Sequence, residues 1–271
     1  MQKFIQIPLW GFTVFCLAVL FFIIVYVLKN GLPVISWEFL FSVPKNMGKS
    51  GGILPMVLGT IYVTVVAVLI ATPLGVGTAV YLTEYTRENK LTAFIRFTTE
   101  CLAGIPSIIF GLFGFILFVI YFNWGWSILS GGLTLAIMIL PTVIRTSEEA
   151  IRSVPFKLRE VSFSLGANRW STVSKVVIPS ALPGILTGII LGVGRSISET
   201  AAVIFTAGSS LLIPTSIFSP ARTMSVHFYI LAREGISMKM AYGTAAVLII
   251  AILIINFVSY WIMHKYLSRL S

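Results

Sequence analysis

The chain has 271 residues, of which 57% are hydrophobic and only 10% are charged, and its mean hydropathy is +0.98. An average soluble domain has about 25% charged residues, so this chain cannot cover a water-facing surface with its own charges. The composition therefore excludes a soluble globular protein and predicts a polytopic membrane protein.

Six segments are long and apolar enough to cross a bilayer as helices. Within a single transmembrane domain over residues 1–271, the predicted spans are about 9–28, 53–82, 93–121, 128–144, 182–207 and 241–264. The first apolar run is too long for a signal peptide and is followed by no small-x-small cleavage site, so we expect a retained helix. The fold class predicted is therefore an all-α membrane protein with six transmembrane helices.

The basic residues predict how the chain is oriented. With the N-terminus in the cytoplasm, the cytoplasmic segments hold twice as many Lys and Arg residues as the external ones. Both termini of this multi-pass cell-membrane protein are therefore predicted to be cytoplasmic. No basic run is interleaved with aromatic residues, so the net charge of +10 indicates membrane lipids, and not nucleic acid, as partners.

Glycine and proline interrupt two of the predicted spans. The second contains Pro73, Gly75 and Gly77, and the third contains Gly104 and Pro106. Such residues either let helices pack closely or kink them around a pathway, and the sequence leaves both interpretations open.

The longest charged stretch, residues 145–180, lies between the fourth and fifth spans and is predicted to be cytoplasmic. Thr146 and Glu149 have the spacing of a capping box, which predicts a helix start, and Pro155 interrupts that helix. Two short amphipathic helices follow, on either side of a turn at Gly166. Their apolar faces consist of Leu158, Val161, Leu165, Trp170, Val173 and Val177, the last just before Pro179. These faces either lie on the membrane or on the protein's own bundle, or they dock into a cytosolic partner.

The same stretch resembles the signature of permeases from ABC importers, E-A-A-x3-G-x9-I-x-L-P. The matching residues are Glu160, Val161, Ser162, Gly166, Val176, Ile178 and Pro179. The spacing is kept throughout, with conservative replacements at the Ala, Ile and Leu positions. The resemblance implies a type I ABC importer permease fold, whose cytoplasmic coupling helix seats in a groove of the ATPase subunit. It implies that Leu165 and Ala167 belong to the same contact.

No nucleotide-binding loop is apparent in the sequence. Gly48-Lys49-Ser50 ends like a Walker A motif, but that motif also requires Gly at position 43, where this chain has Val43. We therefore expect no ATPase activity in this chain, and energy from another subunit or from an ion gradient.

Metal and cofactor chemistry is not predicted either. Cys16 and Cys101 lie in apolar stretches, and His227 and His264 are far apart and show no ligand spacing. We expect no cofactor and no metal site.

Two charges, Arg195 and Glu199, lie within the apolar run of span five, on one face of a continuous helix. A charge at mid-bilayer costs about 2.5–3.5 kcal/mol on insertion scales. An ion pair is the structural alternative, but Arg before Glu is the weaker order, and two apolar residues would replace such a pair at low cost. We therefore favour a role in translocation.

The chemistry of this segment suits an oxyanion. A guanidinium group binds two phosphate oxygens in a fork, and Ser196, Ser198 and Thr200 add hydrogen-bonding groups. Glu199 repels an anion unless that anion still carries a proton, as hydrogen phosphate does and sulfate at neutral pH does not. The hypothesis is that Arg195 attracts the anion and Glu199 selects protonated oxyanions.

Glu100, near the cytoplasmic end of span three, is a third candidate for the pathway. A boundary ion pair with Arg96, four residues earlier, explains it as well.

The run from Gly194 to Ala202 is similar to the G-R-x-x-x-E-T-A run of phosphate-importer permeases. Segments 52–60 and 100–108 resemble theirs too, so the similarity extends over roughly residues 51–232. The short first external loop and segment 220–227 resemble the PstA type more than the PstC type. Ser198 departs from the pattern, since the family often has Gly there.

This resemblance implies a membrane subunit of an ATP-driven importer of inorganic phosphate. The implied partners are a dimer of ABC ATPase subunits, a second homologous permease of the PstC type and an extracytoplasmic phosphate-binding protein. The alternatives are an ABC permease for another oxyanion, such as molybdate or sulfate, and a gradient-driven secondary transporter.

Overall fold

The computed structural model describes residues 2–267, and the side chains of residues 10–261, 263 and 265. Twelve α-helices make up most of this part of the chain. They are α1 Gln2–Gly31, α2 Trp37–Phe41, α3 Leu54–Val80, α4 Lys90–Ala103, α5 Ser107–Gly114, α6 Ile128–Ser153, α7 Phe156–Ser164, α8 Arg169–Thr172, α9 Ile178–Ser198, α10 Ala201–Thr206, α11 Met224–Arg233 and α12 Met238–Leu267. Wide π-type turns extend α3 through Tyr81–Tyr85, extend α5 through Phe115–Tyr121, and join α8 to α9 through Val173–Val177.

Five helical stretches in the described residues are long and apolar enough to cross a membrane. They are Trp10–Val34, Leu54–Tyr85, Ile128–Ser153, Arg169–Ser198 and Met238–Trp261. A sixth span results if the bent pair of α4 and α5 is counted as one. The predicted class, an all-α membrane protein, is thus confirmed.

The third predicted span, 93–121, is not one helix. α4 ends at Ala103, α5 begins at Ser107, and the two stretches meet at an angle of 101°. Pro106 explains the bend, because this residue has an extended backbone, with φ −58° and ψ 141°. The sequence placed Gly104 and Pro106 as an interruption of this span, and the pair forms a broken span or a re-entrant loop.

The predicted helix start at Thr146 was also wrong. α6 continues through this position from Ile128 to Ser153. The Thr146 hydroxyl donates to the carbonyl oxygen of Thr142 at 2.8 Å, one turn back in the same helix, so it does not act as a cap. The helix boundary lies instead at Pro155, which precedes α7.

The fifth predicted span, 182–207, starts earlier and breaks inside. Arg169–Ser198 forms one helical stretch, so Pro179 lies within it, and the second amphipathic helix predicted after Gly166 continues directly into this span. Glu199 then has extended backbone angles, φ −71° and ψ 132°, and α10 follows as a separate short helix. The break at Glu199 separates α9 from α10.

A short hairpin, with two residues in each strand, precedes α3. Pro44–Lys45 pairs antiparallel with Ser50–Gly51, and Gly48 has a φ of +93° in the turn between them. The tripeptide Gly48-Lys49-Ser50 that ends like a Walker A motif therefore belongs to a hairpin.

α3 lies at the centre of the bundle. It packs along α6 and α9 and contributes to three clusters of buried apolar residues. Met56 belongs to the cluster near the start of α3, Val63 and Ala67 to the middle one, and Ala79 and Val80 to the one near its end. By contrast, α1 packs mainly on α12, and nearly all of its described side chains before Tyr26 are exposed. This exposed apolar surface requires lipid or another subunit to cover it.

We expect Gly188→Ala to destabilise the fold, because α6 and α9 approach closely there. A Cβ atom added to Gly188 would overlap the side chain of Thr146. Overpacking of this kind costs about 1–3 kcal/mol. Gly77→Ala in α3 is the matched control, because the added Cβ would have no neighbour within 4 Å. Thermal unfolding of the two detergent-solubilised variants checks this; equal midpoints would contradict the close packing.

Candidate substrate pathway and coupling segment

Arg195 lies on an open face of α9. Leu191 and Ser198, about one turn to either side, are exposed, and a Cβ atom added to Gly194 would meet nothing within 4 Å. The opposite face of α9 is buried at Ile197. Gly192, about 60° around the helix from Arg195, is buried and approaches Ile139 and Val143 of α6. The guanidinium group thus belongs to the side of α9 that this chain does not cover.

No ion pair or hydrogen bond holds the Arg195 side chain within residues 2–267. The residue is half-buried and lies in the last turn of α9, where the helix dipole favours a cation. An intrahelical ion pair with Glu199, the structural alternative, is not formed. The placement of both charges on one face of a continuous helix was wrong, because the helix ends at Ser198.

Glu199 instead holds the break between α9 and α10. Its Oε1 atom accepts hydrogen bonds from the backbone N–H groups of Thr200, at 3.1 Å, and Ala202, at 3.2 Å. Its own carbonyl oxygen accepts a hydrogen bond from the Ser225 hydroxyl at 2.6 Å. The carboxylate thus satisfies N–H groups at the start of α10, and α11 is tied to the same break.

The three hydroxyl residues predicted beside Arg195 have different surroundings. Ser196 is 2% exposed, and its Oγ atom is buried without a hydrogen-bond partner among the described residues. Ser198 is exposed, and its hydroxyl donates to the Gly194 carbonyl oxygen at 2.6 Å. Thr200 is half-buried in the break itself. Only Ser198 shares the open face with Arg195.

Glu100 lies apart from Arg195, at a charged cavity between α3, α4 and α6. The cavity has a volume of about 200 Å³, and its charged lining consists of Arg96, Glu100, Arg145, Glu148, Glu149 and Arg152. Arg96 donates to Glu148 at 2.9 Å and to Glu88 at 3.3 Å, and Arg152 pairs with Glu148 at 2.8 Å. The alternative explanation of Glu100, an ion pair with Arg96, was therefore wrong. Its carboxylate is exposed and has no ion-pair partner in the described part of the chain.

The residues that match the permease signature lie on α7, in the turn after it, in the wide turn before α9 and at the start of α9. Gly166, with φ +82°, forms the turn between α7 and α8. Glu160, Val161 and Leu165 are exposed, and the Leu165 side chain is 83% exposed. Ser162 is buried, and its hydroxyl lies 2.8 Å from that of Thr172, which joins α7 to α8. We call residues 156–172 the coupling segment.

The remaining signature residues have less exposed positions. Ala167, Val176, Ile178 and Pro179 are half-buried, and Val176 lies in the wide turn that joins α8 to α9. Of the apolar faces predicted here, Leu158, Val161, Leu165 and Trp170 are exposed, whereas Val173 and Val177 pack in the core. The coupling segment therefore presents an uncovered apolar surface.

Arg222 is a buried arginine that the sequence did not single out. This residue is 9% exposed, and its Nε atom donates to the Ser209 carbonyl oxygen at 2.9 Å. Its Nη1 atom lies 3.3 Å from His227 Nδ1, which must accept because arginine only donates. Burial first, and the Arg222 cation second, lower the pKa of His227 from 6.5 to about 4. This contact, between Arg222 before α11 and His227 within it, leaves no periodic signal in the sequence.

Residues 71–271 match the family described as binding-protein-dependent transport system inner membrane component. The chain belongs to this family. It is 39% identical to the probable ABC transporter permease protein YqgI of Bacillus subtilis, over 88% of this chain and 86% of that protein. It is 30% identical to the phosphate transport system permease protein PstA 2 of Mycobacterium bovis, over 99% and 90%, and 32% identical to PstA of Pasteurella multocida, over 84% and 82%.

Solved transporters share the fold. A chain of the MetNI methionine ABC transporter, in an inward-facing conformation, superposes with a TM-score of 0.64 at 20% identity, over 77% of this chain and 93% of that one. A chain of the bacterial alginate ABC transporter, in complex with its pentasaccharide-bound periplasmic protein, gives 0.67 at 16% identity, over 96% and 94%.

The chain is therefore a multi-pass membrane permease subunit of an ABC importer, with the type I permease fold that the sequence predicted. It is not itself an ATPase, since its relatives are the permease subunits of such systems. A permease of this family works with ATPase subunits and a substrate-binding protein.

We expect the stability of the fold to decrease as the pH falls from 6.5 towards 4. His227 lies outside the stretches that qualify as membrane spans. Because its folded pKa, about 4, is below 6.5, the unfolded chain binds a proton that the folded chain does not. This difference removes about 2 kcal/mol of stability between pH 7.5 and pH 5.

The measurement is thermal unfolding in detergent at pH 7.5 and pH 5, on the unmodified chain and on His227→Gln. We expect the variant to lose that part of the pH dependence. An identical pH dependence in both proteins would show that His227 is not buried as a neutral group.

Proposed function

We propose that this chain is the membrane subunit through which an ATP-driven importer moves inorganic phosphate into the cytoplasm. The single observation that carries the proposal is Arg195, an uncompensated guanidinium group on the open face of α9. Facing lipid, such a group would cost several kcal/mol, so that face must meet water, an anion or a second subunit. A guanidinium fork fits the oxygens of phosphate.

The similarity to proteins named phosphate transport system permease supports phosphate over other oxyanions. Relatives named only as probable ABC permeases leave the substrate to experiment. Molybdate and sulfate, the alternative cargoes, would also be attracted by Arg195 but carry no proton at neutral pH.

Glu199 is proposed to act on this difference in protonation. Its Oε1 atom is occupied by the two N–H groups of α10, whereas its Oε2 atom makes no hydrogen bond within residues 2–267. This second carboxylate oxygen is proposed to accept a hydrogen bond from hydrogen phosphate and to repel fully ionised oxyanions. Ser196, Ser198, Thr200 and Glu100 are proposed to contribute polar groups along the same pathway.

The coupling segment is proposed to seat in the ATPase subunit, through Glu160, Val161, Leu165, Gly166 and Ala167, with Ser162, Val176, Ile178 and Pro179 supporting its shape. Its uncovered apolar side chains support this contact. The same proposal places the coupling segment and both termini in the cytoplasm. A second related permease, of the PstC type, would cover the open face of α9, and an extracytoplasmic phosphate-binding protein would deliver the anion.

We expect Arg195→Gln to lower ATP-dependent phosphate uptake about 10- to 100-fold, because two charge-assisted hydrogen bonds are lost. Arg195→Lys should keep part of the activity. The assay measures labelled phosphate in vesicles that contain the complex co-expressed with its partner subunits, with sulfate and molybdate as competitors. Arg233→Gln, at an exposed arginine on α11, is the control. Uptake inhibited equally by sulfate would contradict phosphate as cargo, and uptake without ATP would contradict coupling.

We expect Glu199→Gln to reduce the preference for phosphate over sulfate while keeping the chain folded. The Gln side-chain oxygen can still accept the hydrogen bonds from Thr200 and Ala202, so the cap is preserved. Competition between labelled phosphate and unlabelled sulfate gives the preference. An unchanged preference in a variant that assembles normally would remove Glu199 from the selection mechanism.

A further inference from the structure

A buried ion pair joins the coupling segment to the end of α3. Glu84 lies in the wide turn Tyr81–Tyr85 that extends α3, and Arg159 lies in α7. The Arg159 Nη2 atom is 2.6 Å from Glu84 Oε1, and its Nε atom donates to the same carboxylate at 3.1 Å. Both side chains are only 10% exposed. The contact is therefore a two-pronged, desolvated pair between residues 75 positions apart.

The same guanidinium group also holds the end of α6. Arg159 Nη1 donates to the Val154 carbonyl oxygen at 2.9 Å, and Nη2 donates to that of Ile151 at 3.1 Å. One side chain of α7 thus fixes the ends of α3 and α6 relative to each other.

α8, the second helix of the coupling segment, also contacts the wide turn Tyr81–Tyr85. The guanidinium group of Arg169, in α8, lies 5.4 Å from the centre of the Tyr85 ring. Two arginines, one on each side of the Gly166 turn, therefore contact the consecutive residues Glu84 and Tyr85. A shift of the coupling segment cannot leave the end of α3 in place without breaking both contacts.

Stability alone does not explain the buried pair. The surrounding cluster is already apolar, with Val80, Ile151, Val154 and Val173 among its members. Replacing a buried ion pair by apolar residues of similar volume is often neutral or stabilising. What an arginine–carboxylate fork adds is a fixed distance and orientation between two elements.

The far end of α3 contacts the break between α9 and α10 through a short chain of hydrogen bonds. The Thr60 hydroxyl accepts a hydrogen bond from the Met224 N–H group at 2.9 Å. The next residue, Ser225, donates from its hydroxyl to the Glu199 carbonyl oxygen at 2.6 Å. α3 is thus held at one end by the coupling segment and at the other by the break that follows Arg195.

We propose that the Glu84–Arg159 pair is the joint through which movement of the coupling segment reaches α3, and that α3 carries this movement to the break at Glu199. Glu84 and Arg159 are positioning residues in this scheme, since neither touches cargo or nucleotide. The wide turn at Tyr81–Tyr85 is consistent with such a joint, because π-type turns are rare and occur frequently at functional sites. The inference rests on the proposed function only in taking the coupling segment as the ATPase contact.

The test uses the assembled transporter with the double substitution Glu84→Leu and Arg159→Met, which removes the pair without leaving a buried charge. We expect normal assembly and ATP hydrolysis, but at least a tenfold fall in the number of phosphate ions taken up per ATP hydrolysed. Glu88→Gln is the control, because this carboxylate is four residues away, exposed, and outside the joint. Arg159→Lys, which keeps the charge but loses the fork, should give an intermediate ratio.

A ratio equal to that of the unmodified transporter in both the double variant and Arg159→Lys would overturn the proposal and leave the pair as packing alone. A readout that needs no cargo separates this failure from a wrong substrate. A spin label at Tyr62, in place of that exposed residue near the far end of α3, reports movement on addition of ATP and vanadate, with Cys16 and Cys101 replaced by Ser.

On addition of ATP and vanadate, we expect the label's spectrum to change in the transporter that keeps Glu84 and Arg159, and also in Glu88→Gln. We expect it to stay constant in the double variant. A change that persists in the double variant, or no change in the unmodified joint, would overturn the joint whatever the transporter carries. Absent phosphate uptake with a normal spectral change would refute the cargo and leave the joint standing.

Discussion

Holding a guanidinium group in an apolar environment is costly, and this constraint explains how two arginines of the chain are used. Arg159 is compensated within the chain, by Glu84 and by two carbonyl oxygens at the end of α6. Arg195 has no such compensation in the described residues and is half-buried on the open face of α9, beside the exposed Leu191 and Ser198. The chain thus compensates the buried charge of Arg159 with its own residues, but not the charge of Arg195. That is the arrangement expected of one subunit of a shared pathway.

α3 connects these two regions. It is the only described helix whose residues belong to all three apolar clusters, from Met56 through Val63 to Ala79 and Val80. Densely packed helices move as units, because their cores resist continuous deformation. A helix that is packed along its whole length and held by polar contacts at both ends is well placed to relate ATPase movement to the state of the pathway.

Composition and apolar run length were sufficient to predict the class and most of the spans, because a bilayer demands about 20 apolar residues in each helix. Breaks inside spans were harder. Pro106 was visible in the sequence as a kink, yet its 101° bend depends on the extended backbone of that residue. The break at Glu199 has no Gly or Pro to announce it, and it exists because the carboxylate caps α10 and Ser225 holds its carbonyl oxygen.

Only those parts of the site that leave a local signal in the sequence were predicted. Arg195 stood out because a charge in an apolar run is rare, and the spacing of the coupling segment is local along the chain. The Glu84–Arg159 and Arg222–His227 contacts were not predicted. No periodic pattern marks these side chains as buried, and only tertiary packing buries them. Thr146 is the opposite case: a local capping pattern predicted a helix start there, but the residue lies in the interior of α6.

The most direct test of the account is a cryo-electron microscopy structure of the assembled transporter in lipid nanodiscs, with inorganic phosphate and nucleotide-trapped ATPase subunits. We expect Arg195 to line an aqueous pathway between this chain and a second permease, with phosphate density within hydrogen-bonding distance, and the coupling segment to seat in an ATPase groove. A structure in which the open face of α9 meets only lipid, and phosphate binds elsewhere, would contradict it.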